Sequence, residues 1–148
     1  MIGHTKRRAQ ERGVLKRAAK VAIVVKVHWL DLILSGRKDW EIRVSSTARR
    51  GWIHLAESKA TGQLMGRVRL DDCMALTRES FMEHAMHHCV ESVQEINYRK
   101  IYAWCLKEPE RFAKPLRYHH LPAAVIWVNT RRRPMPCSPQ YHPQFSAA

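Results

Sequence analysis

Within the stretch SGRKDWEIRV, three ionisable side chains of mixed sign stand close together at Lys38, Glu41 and Arg43. Lys38 falls where a helical pattern gives way to an alternating one, so its ammonium can reach into a neighbouring cleft as a mobile point charge. Glu41 and Arg43 share one face of an extended chain, about 7 Å apart. Arg43 can hold a phosphate through two parallel hydrogen bonds. Glu41 separates this trio from a plain phosphate groove. A carboxylate repels phosphate but accepts hydrogen bonds from an exocyclic amine such as that of cytosine. Spacing alone leaves two readings open: a pocket for a nucleobase with its phosphate, or an ion-pair network bracing a turn.

Other residue types invite chemistry with less support. Tyr118, beside His119 and His120 in a segment read as irregular, is a candidate for stacking on a base. Arg49 and Arg50 precede one predicted strand and Ser58 and Lys59 follow it, so the two pairs belong at its opposite ends. Arg67 and Arg69 alternate with Val68 and Leu70, which suits either an exposed basic strip for backbone contacts or a solvated strand face. His84 and His88 lie one helical turn apart, opposite an apolar stripe, and are expected to face solvent. A zinc site needs three or four protein ligands, and no third is committed to that face. No metal and no cofactor are expected.

These residues need elements to carry them. VAIVVKV (21–27) is a β-branched run and reads as a central strand. HWLDLILSG places Trp29, Leu30, Ile33 and Leu34 at helical spacing, with Gly36 positioned to end the helix. DWEIRV alternates, which assigns Trp40, Ile42 and Val44 to the sheet interior and Glu41 and Arg43 to the other face. WIHLAES and QLMGRVRL read as strands joined by a tight polar turn. RESFMEHAMHHCV (78–90) gathers Phe81, Met82, Ala85, Met86, Cys89 and Val90 on one helical stripe. IYAWCL and AAVIWV are apolar strand candidates, and two prolines between them argue against a long helix there. About six strands and two short helices predict a mixed, barrel-like sheet.

The 148 residues fit one domain, and 45% hydrophobic content fits a globular one. Its organisation reads as a basic N-terminal arm (1–20), a domain (21–129) and an Arg/Pro-rich C-terminal tail (130–148) expected to be disordered. The net charge of +13 is concentrated at the ends: seven basic residues against Glu11 in the arm, and Arg131, Arg132 and Arg133 in the tail. Such ends attract polyanions through counterion release, or are simply solvated. No apolar run approaches the roughly 18 residues of a membrane span, so no membrane partner is expected. Four cysteines without a C-x-x-C pair, and no secretory signal, fit reduced thiols in a cytoplasmic setting. The Arg/Lys-rich start has the composition of an organelle transit peptide as well as that of a nucleic-acid-binding arm.

The helix followed by GRKDWEIR resembles the G-x-K-x-x-E-x-R signature of the ASCH domain, a branch of the PUA-like superfamily. RRGWIHLAESK, GQLMGRVRLDDC, YAWCL, FAKPLRY and AAVIWV follow in the order that family shows, covering about residues 22–129. The resemblance implies an α+β fold: a small PUA-like mixed β-barrel of five to six strands with two or three flanking helices, and a cleft at the signature. Relatives are associated with RNA binding, modified-nucleotide recognition and RNA modification. By analogy, Ser58 and Lys59 belong at the cleft, with Arg50 as a further candidate. One branch resembles amidohydrolases of an acetylated cytosine nucleoside. There the position three after the lysine is a threonine; here it is Glu41, and the branch's further carboxylate has no assignable match between Glu83 and Glu91.

The leading expectation is therefore a nucleic-acid-binding module, for RNA above all, using Lys38, Glu41, Arg43, Arg50, Ser58 and Lys59. In it Glu41 reads a base edge while Lys38 and Arg43 hold phosphate. The alternative is a hydrolase of RNA or of a modified nucleoside, with Lys38, Glu41 and Tyr118 as its catalytic candidates. A third class is an adaptor whose tails bind protein partners that the sequence does not identify.

Overall fold

The computed structural model describes residues 19–58, 62–92, 96–118 and 126–130. Apart from Ala19, Lys20 and Thr130, the basic arm and the tail lie outside the described residues. In chain order come β1 (Val21–Val25), α1 (Val27–Leu34), β2 (Trp40–Arg43), β3 (Gly51–Glu57), β4 (Gln63–Leu76), α2 (Arg78–Glu83), α3 (Ala85–His88), β5 (Ile101–Arg117) and β6 (Trp127–Asn129). The strands form one mixed sheet in the order β2-β5-β4-β3-β1-β6. Among the described strands only β1 and β3 pair in parallel; their other pairs are antiparallel. The sheet curls into a half-barrel, the PUA-like α+β architecture that the sequence led us to expect.

The main core lies inside the curl, where Ile23, Val25, Ile53, Leu55, Val68, Leu70 and Trp104 meet Leu30, Ile33 and Leu34 of α1. Gly66 lets α1 approach β4. A Cβ there would stand 2.5 Å from both Leu34 Cδ2 and the Glu110 carbonyl oxygen. A second cluster joins Ile42, Ile101 and Ala103 to Phe81, Val90 and Ile96. A third, smaller one holds Ala22, Ala56, Leu64 and Val128.

Three local expectations are corrected. The segment read as irregular, KEPERFAKPLR, continues β5 to a length of 17 residues. Both prolines fall where its register with β4 slips. Arg67 pairs with Glu110 but Arg69 with Lys107, and Gly66 pairs with Arg111 but Leu64 with Leu116. Each slip leaves residues of β5 unpaired, so a proline costs no ladder hydrogen bond. Glu108 adopts φ 54 at the first slip.

The 78–90 helix is two short helices broken at His84, which bonds back through Nδ1 to the Ser80 carbonyl at 2.8 Å. The break rotates the expected stripe, leaving Met82 and Met86 exposed and Phe81 and His88 buried. The alternation in β2 also has the opposite sense from the one expected. Ile42 packs in the second cluster and Trp40 against it, Val44 is exposed, and the Glu41–Arg43 face turns toward Trp104 and the main core.

A polar row crosses the outer face of the sheet, where His54 pairs with Arg67 and Arg67 with Glu110. Arg67 Nε and Nη2 reach Glu110 Oε2 at 2.8 and 2.7 Å, and its guanidinium lies 4.5 Å from the Trp52 ring. Arg67 is therefore buried and its charge answered. Arg69 is matched by Asp71 and Glu108, so neither arginine forms the exposed basic strip that their alternation suggested.

His54 is buried without a partner on Nδ1, and burial, then Arg67, pushes its pKa down to about 4. The unfolded chain takes up that proton near the ordinary histidine value, so acid favours unfolding. Lowering the pH from 7 to 4 should remove roughly 2–3 kcal/mol through this one group. We predict that urea denaturation finds the stability gap between wild type and His54→Gln narrowing over that range. A gap independent of pH would show that His54 titrates as it does in the unfolded chain.

Candidate functional site

Lys38 is delivered by the end of α1. Gly36 takes φ 79, and the amides of Arg37 and Lys38 both donate to the Leu32 carbonyl at 3.0 Å, closing the helix so that the chain turns into β2. The next residue is pinned from both sides. The Asp39 amide donates to the His87 carbonyl at 3.0 Å, and the Asp39 carbonyl accepts from the Leu106 amide at 2.7 Å. Lys38 thus has little freedom, and only 2% of it is exposed.

Its ammonium donates to the His88 carbonyl at 2.7 Å, lies 3.6 Å from Glu41 Oε2 and stands 4.8 Å from the Trp29 ring centre. Burial pushes the Lys38 pKa below its ordinary value, against the opposing pull of Glu41. Glu41 is itself buried, and its other oxygen lies 3.3 Å from Arg43 Nε. Arg43 Nη2 donates to the Val24 carbonyl at 2.8 Å, tying edge strand β2 to β1 across the open side of the half-barrel. Its Nε is close to Glu41 but not aligned for a hydrogen bond. Two cations therefore share one carboxylate, a local excess of one positive charge.

A recess of about 170 Å³ opens beside this trio, between the end of α1 and the bulged part of β5, with Gly36, Lys38, Asp39, Leu106 and Pro109 in its wall. It is smaller than the roughly 300–1,000 Å³ of common ligand sites, so it suits part of a molecule rather than the whole. Lys38 reaches its wall; Glu41 and Arg43 stand behind Lys38.

The structure brings Lys38, Glu41 and Arg43 together and leaves other candidates apart. The Ser58 amide donates to the Val25 carbonyl at 2.9 Å, one residue from the carbonyl that Arg43 uses. Arg50 precedes β3 at its other end, pairs with Asp72 at 3.0 Å and donates to the Thr47 and Arg49 carbonyls. Tyr118 directly follows β5, where its amide donates to the Gly62 carbonyl, and it packs on the third cluster. Burial raises its pKa. Lys59, His119 and His120 lie outside the described residues.

His84 and His88 do not both face solvent. His88 is fully buried, stacked on Phe81 at 3.9 Å, with Nε2 on the Phe81 carbonyl and Nδ1 accepting from the Val90 amide. His84 and His87 stack on Trp40 at 5.2 and 4.7 Å, and His87 Nδ1 meets Asp39 Oδ1 at 2.9 Å. Among the described residues, no group of three His, Cys, Asp or Glu side chains is placed to hold a metal ion. His88 and Trp29 are the contributors that spacing missed. The Lys38–His88 contact joins residues 50 positions apart, and no local pattern signals it.

The sequence profile of the ASCH domain matches residues 23–116. The chain belongs to the ASCH domain family. Its fold is similar to that of solved ASCH proteins from Zymomonas mobilis. A serine-to-alanine variant superposes with a TM-score of 0.61 at 13% identity, covering 76% of this chain and 88% of that one. The protein without a stated substitution gives 0.56 at 15% identity, covering 66% and 72%. A tyrosine-to-phenylalanine variant gives 0.57 at 15%, covering 67% and 76%. No curated protein matches the chain. The G-x-K-x-x-E-x-R pattern read from the sequence, Gly36, Lys38, Glu41 and Arg43, falls within the matched residues and comprises the helix-ending glycine and the charged trio.

Replacing the shared carboxylate tests the electrostatics. Glu41→Gln leaves two buried cations unanswered and should cost about 3–5 kcal/mol in urea denaturation. Lys38→Met keeps the Glu41–Arg43 pair and should cost less. A loss under about 1 kcal/mol for Glu41→Gln would show that the trio is solvated.

Proposed function

We propose that this ASCH domain binds single-stranded RNA, seating one nucleotide at the recess beside Lys38. The observation that carries the reading is that Lys38, alone of the trio, contributes to the wall of a concavity. Lys38 makes the direct contact, to a phosphate or base oxygen. Glu41 and Arg43 act from behind, holding the ammonium in place while leaving the site one positive charge in excess. The family resemblance to RNA-binding relatives supports this choice of ligand. The basic ends supply most of the long-range attraction, while on β4 and β5 the cations at positions 67, 69, 107 and 111 are matched by acids and Lys114 and Arg117 add to it.

Anisotropy of a short labelled single-stranded RNA, titrated with the full chain at increasing salt, tests the proposal. Log affinity should fall by about 0.7 per log unit of salt for each phosphate neutralised. Lys38→Ala should weaken binding at every salt concentration. Absent or salt-insensitive binding by the wild-type chain would overturn the reading.

The lowered pKa of Lys38 favours a second reading, a hydrolase in which that amine serves as general base. Incubation with labelled RNA separates the two. Intact RNA with both wild type and Lys38→Ala supports binding alone; cleavage lost in the variant supports the hydrolase.

A further inference from the structure

Between β2 and β3 the chain forms a loop fixed at several points. The Ser45 carbonyl accepts from Trp104 Nε1 at 2.9 Å, and the Thr47 amide meets Cys73 Sγ at 3.4 Å. The Arg49 amide donates to Thr47 Oγ1 at 3.1 Å. Arg50 ties the carbonyls of Thr47 and Arg49 to Asp72 of β4. A loop so held presents Arg49 in one place. Its guanidinium lies 4.9 Å from the ring centre of half-buried Trp127 on edge strand β6.

Trp127 is stacked at 5.2 Å, with 20° between planes, on fully buried Trp104, whose ring also carries Arg43 at 5.7 Å. One aromatic stack therefore runs from the core to the surface, with a cation at each end. The outer cation differs from its neighbours. Arg50, Arg67, Arg69, Lys107 and Arg111 each meet a carboxylate, whereas Arg49 has none among the described residues. An exposed guanidinium over an indole is weakly held, so it can lift to admit a planar group and then cover it. Trp127 needs no rearrangement to receive that group, because Trp104 already fixes its ring.

We propose that Trp127, covered by Arg49, is a stacking platform for an unpaired nucleobase, with Arg49 also meeting the adjoining phosphate. The inference rests on the RNA reading above and gives the domain a second nucleotide subsite, distinct from the recess at Lys38. Aromatic stacking recognises any base by its π-face, so this subsite adds affinity with little sequence preference.

The test uses the full chain and short labelled single-stranded RNAs, oligo(U) and oligo(A), at fixed and varied salt. Trp127→Leu should weaken binding of both about 5- to 100-fold while leaving the salt slope unchanged. Arg49→Ala should weaken binding and lower the slope by about 0.7, the loss of one phosphate contact. Arg49→Lys should restore the slope but not the full affinity, since an ammonium cannot lie flat on a base. Denaturation curves check that each variant folds; if Trp127→Leu does not, the Arg49 pair decides. Folded variants that bind RNA with wild-type affinity and slope would overturn the platform while leaving RNA binding at Lys38 intact. Absence of binding by the wild-type chain would instead overturn the function on which the platform rests.

Discussion

A carboxylate held between two cations, all three withdrawn from water, constrains this domain more than any other contact. Glu41 has to be answered because a lone buried charge is expensive, and Lys38 and Arg43 answer it from opposite directions. Each then extends the network to a backbone carbonyl on a different element. Lys38 reaches His88 at the end of α3, and Arg43 reaches Val24 on β1. Edge strand β2 is thereby joined to the helical pair on one side and to the far side of the curled sheet on the other. The same contacts limit the trio's chemistry, because Arg43 is held by the Val24 carbonyl and lies against Glu41, and only Lys38 meets the recess.

Much of this could be read from residues alone. The helix over Trp29–Leu34, its arrest at Gly36 and the alternation from Trp40 to Arg43 are local patterns, and local patterns place Lys38, Glu41 and Arg43 near one another. Alternation fixes which residues share a face but not which face turns inward. In β2 both faces are covered: Trp40 and Ile42 lie under α2 and α3, while Glu41 and Arg43 lie over Trp104. Hydropathy alone assigns the apolar face to the interior, whereas the charged one looks toward the main core. Prolines at 109 and 115 signalled irregularity, yet β5 absorbs them where its register slips against β4. Register is a property of two strands and cannot be seen in one. The burial of His88 likewise depends on Phe81 and Val90, brought to it by the break at His84.

Charge shows the same division between composition and placement. The net +13 is concentrated at the chain ends. On the sheet most arginines face acids: Arg67 meets Glu110, Arg69 meets Glu108 and Asp71, and Arg111 meets Asp31. Such pairs contribute little to stability when exposed, but they cancel the field that would attract a polyanion. The excess cation at Lys38–Glu41–Arg43 therefore lies beside a sheet whose charges largely cancel, and Arg49 differs from Arg50 beside it in meeting no carboxylate among the described residues.

The central claim is that the Lys38 wall of the recess is where a nucleotide sits. Nuclear magnetic resonance of the labelled full chain tests it directly, following the Lys38 side-chain nitrogen and the amides of Gly36, Lys38 and Asp39 as short single-stranded RNA is added. The account predicts saturable shifts at these four signals with a common dissociation constant, larger than those at acid-paired Arg111, which lies outside the recess wall. Signals that stay fixed while only residues of the chain ends respond would contradict it.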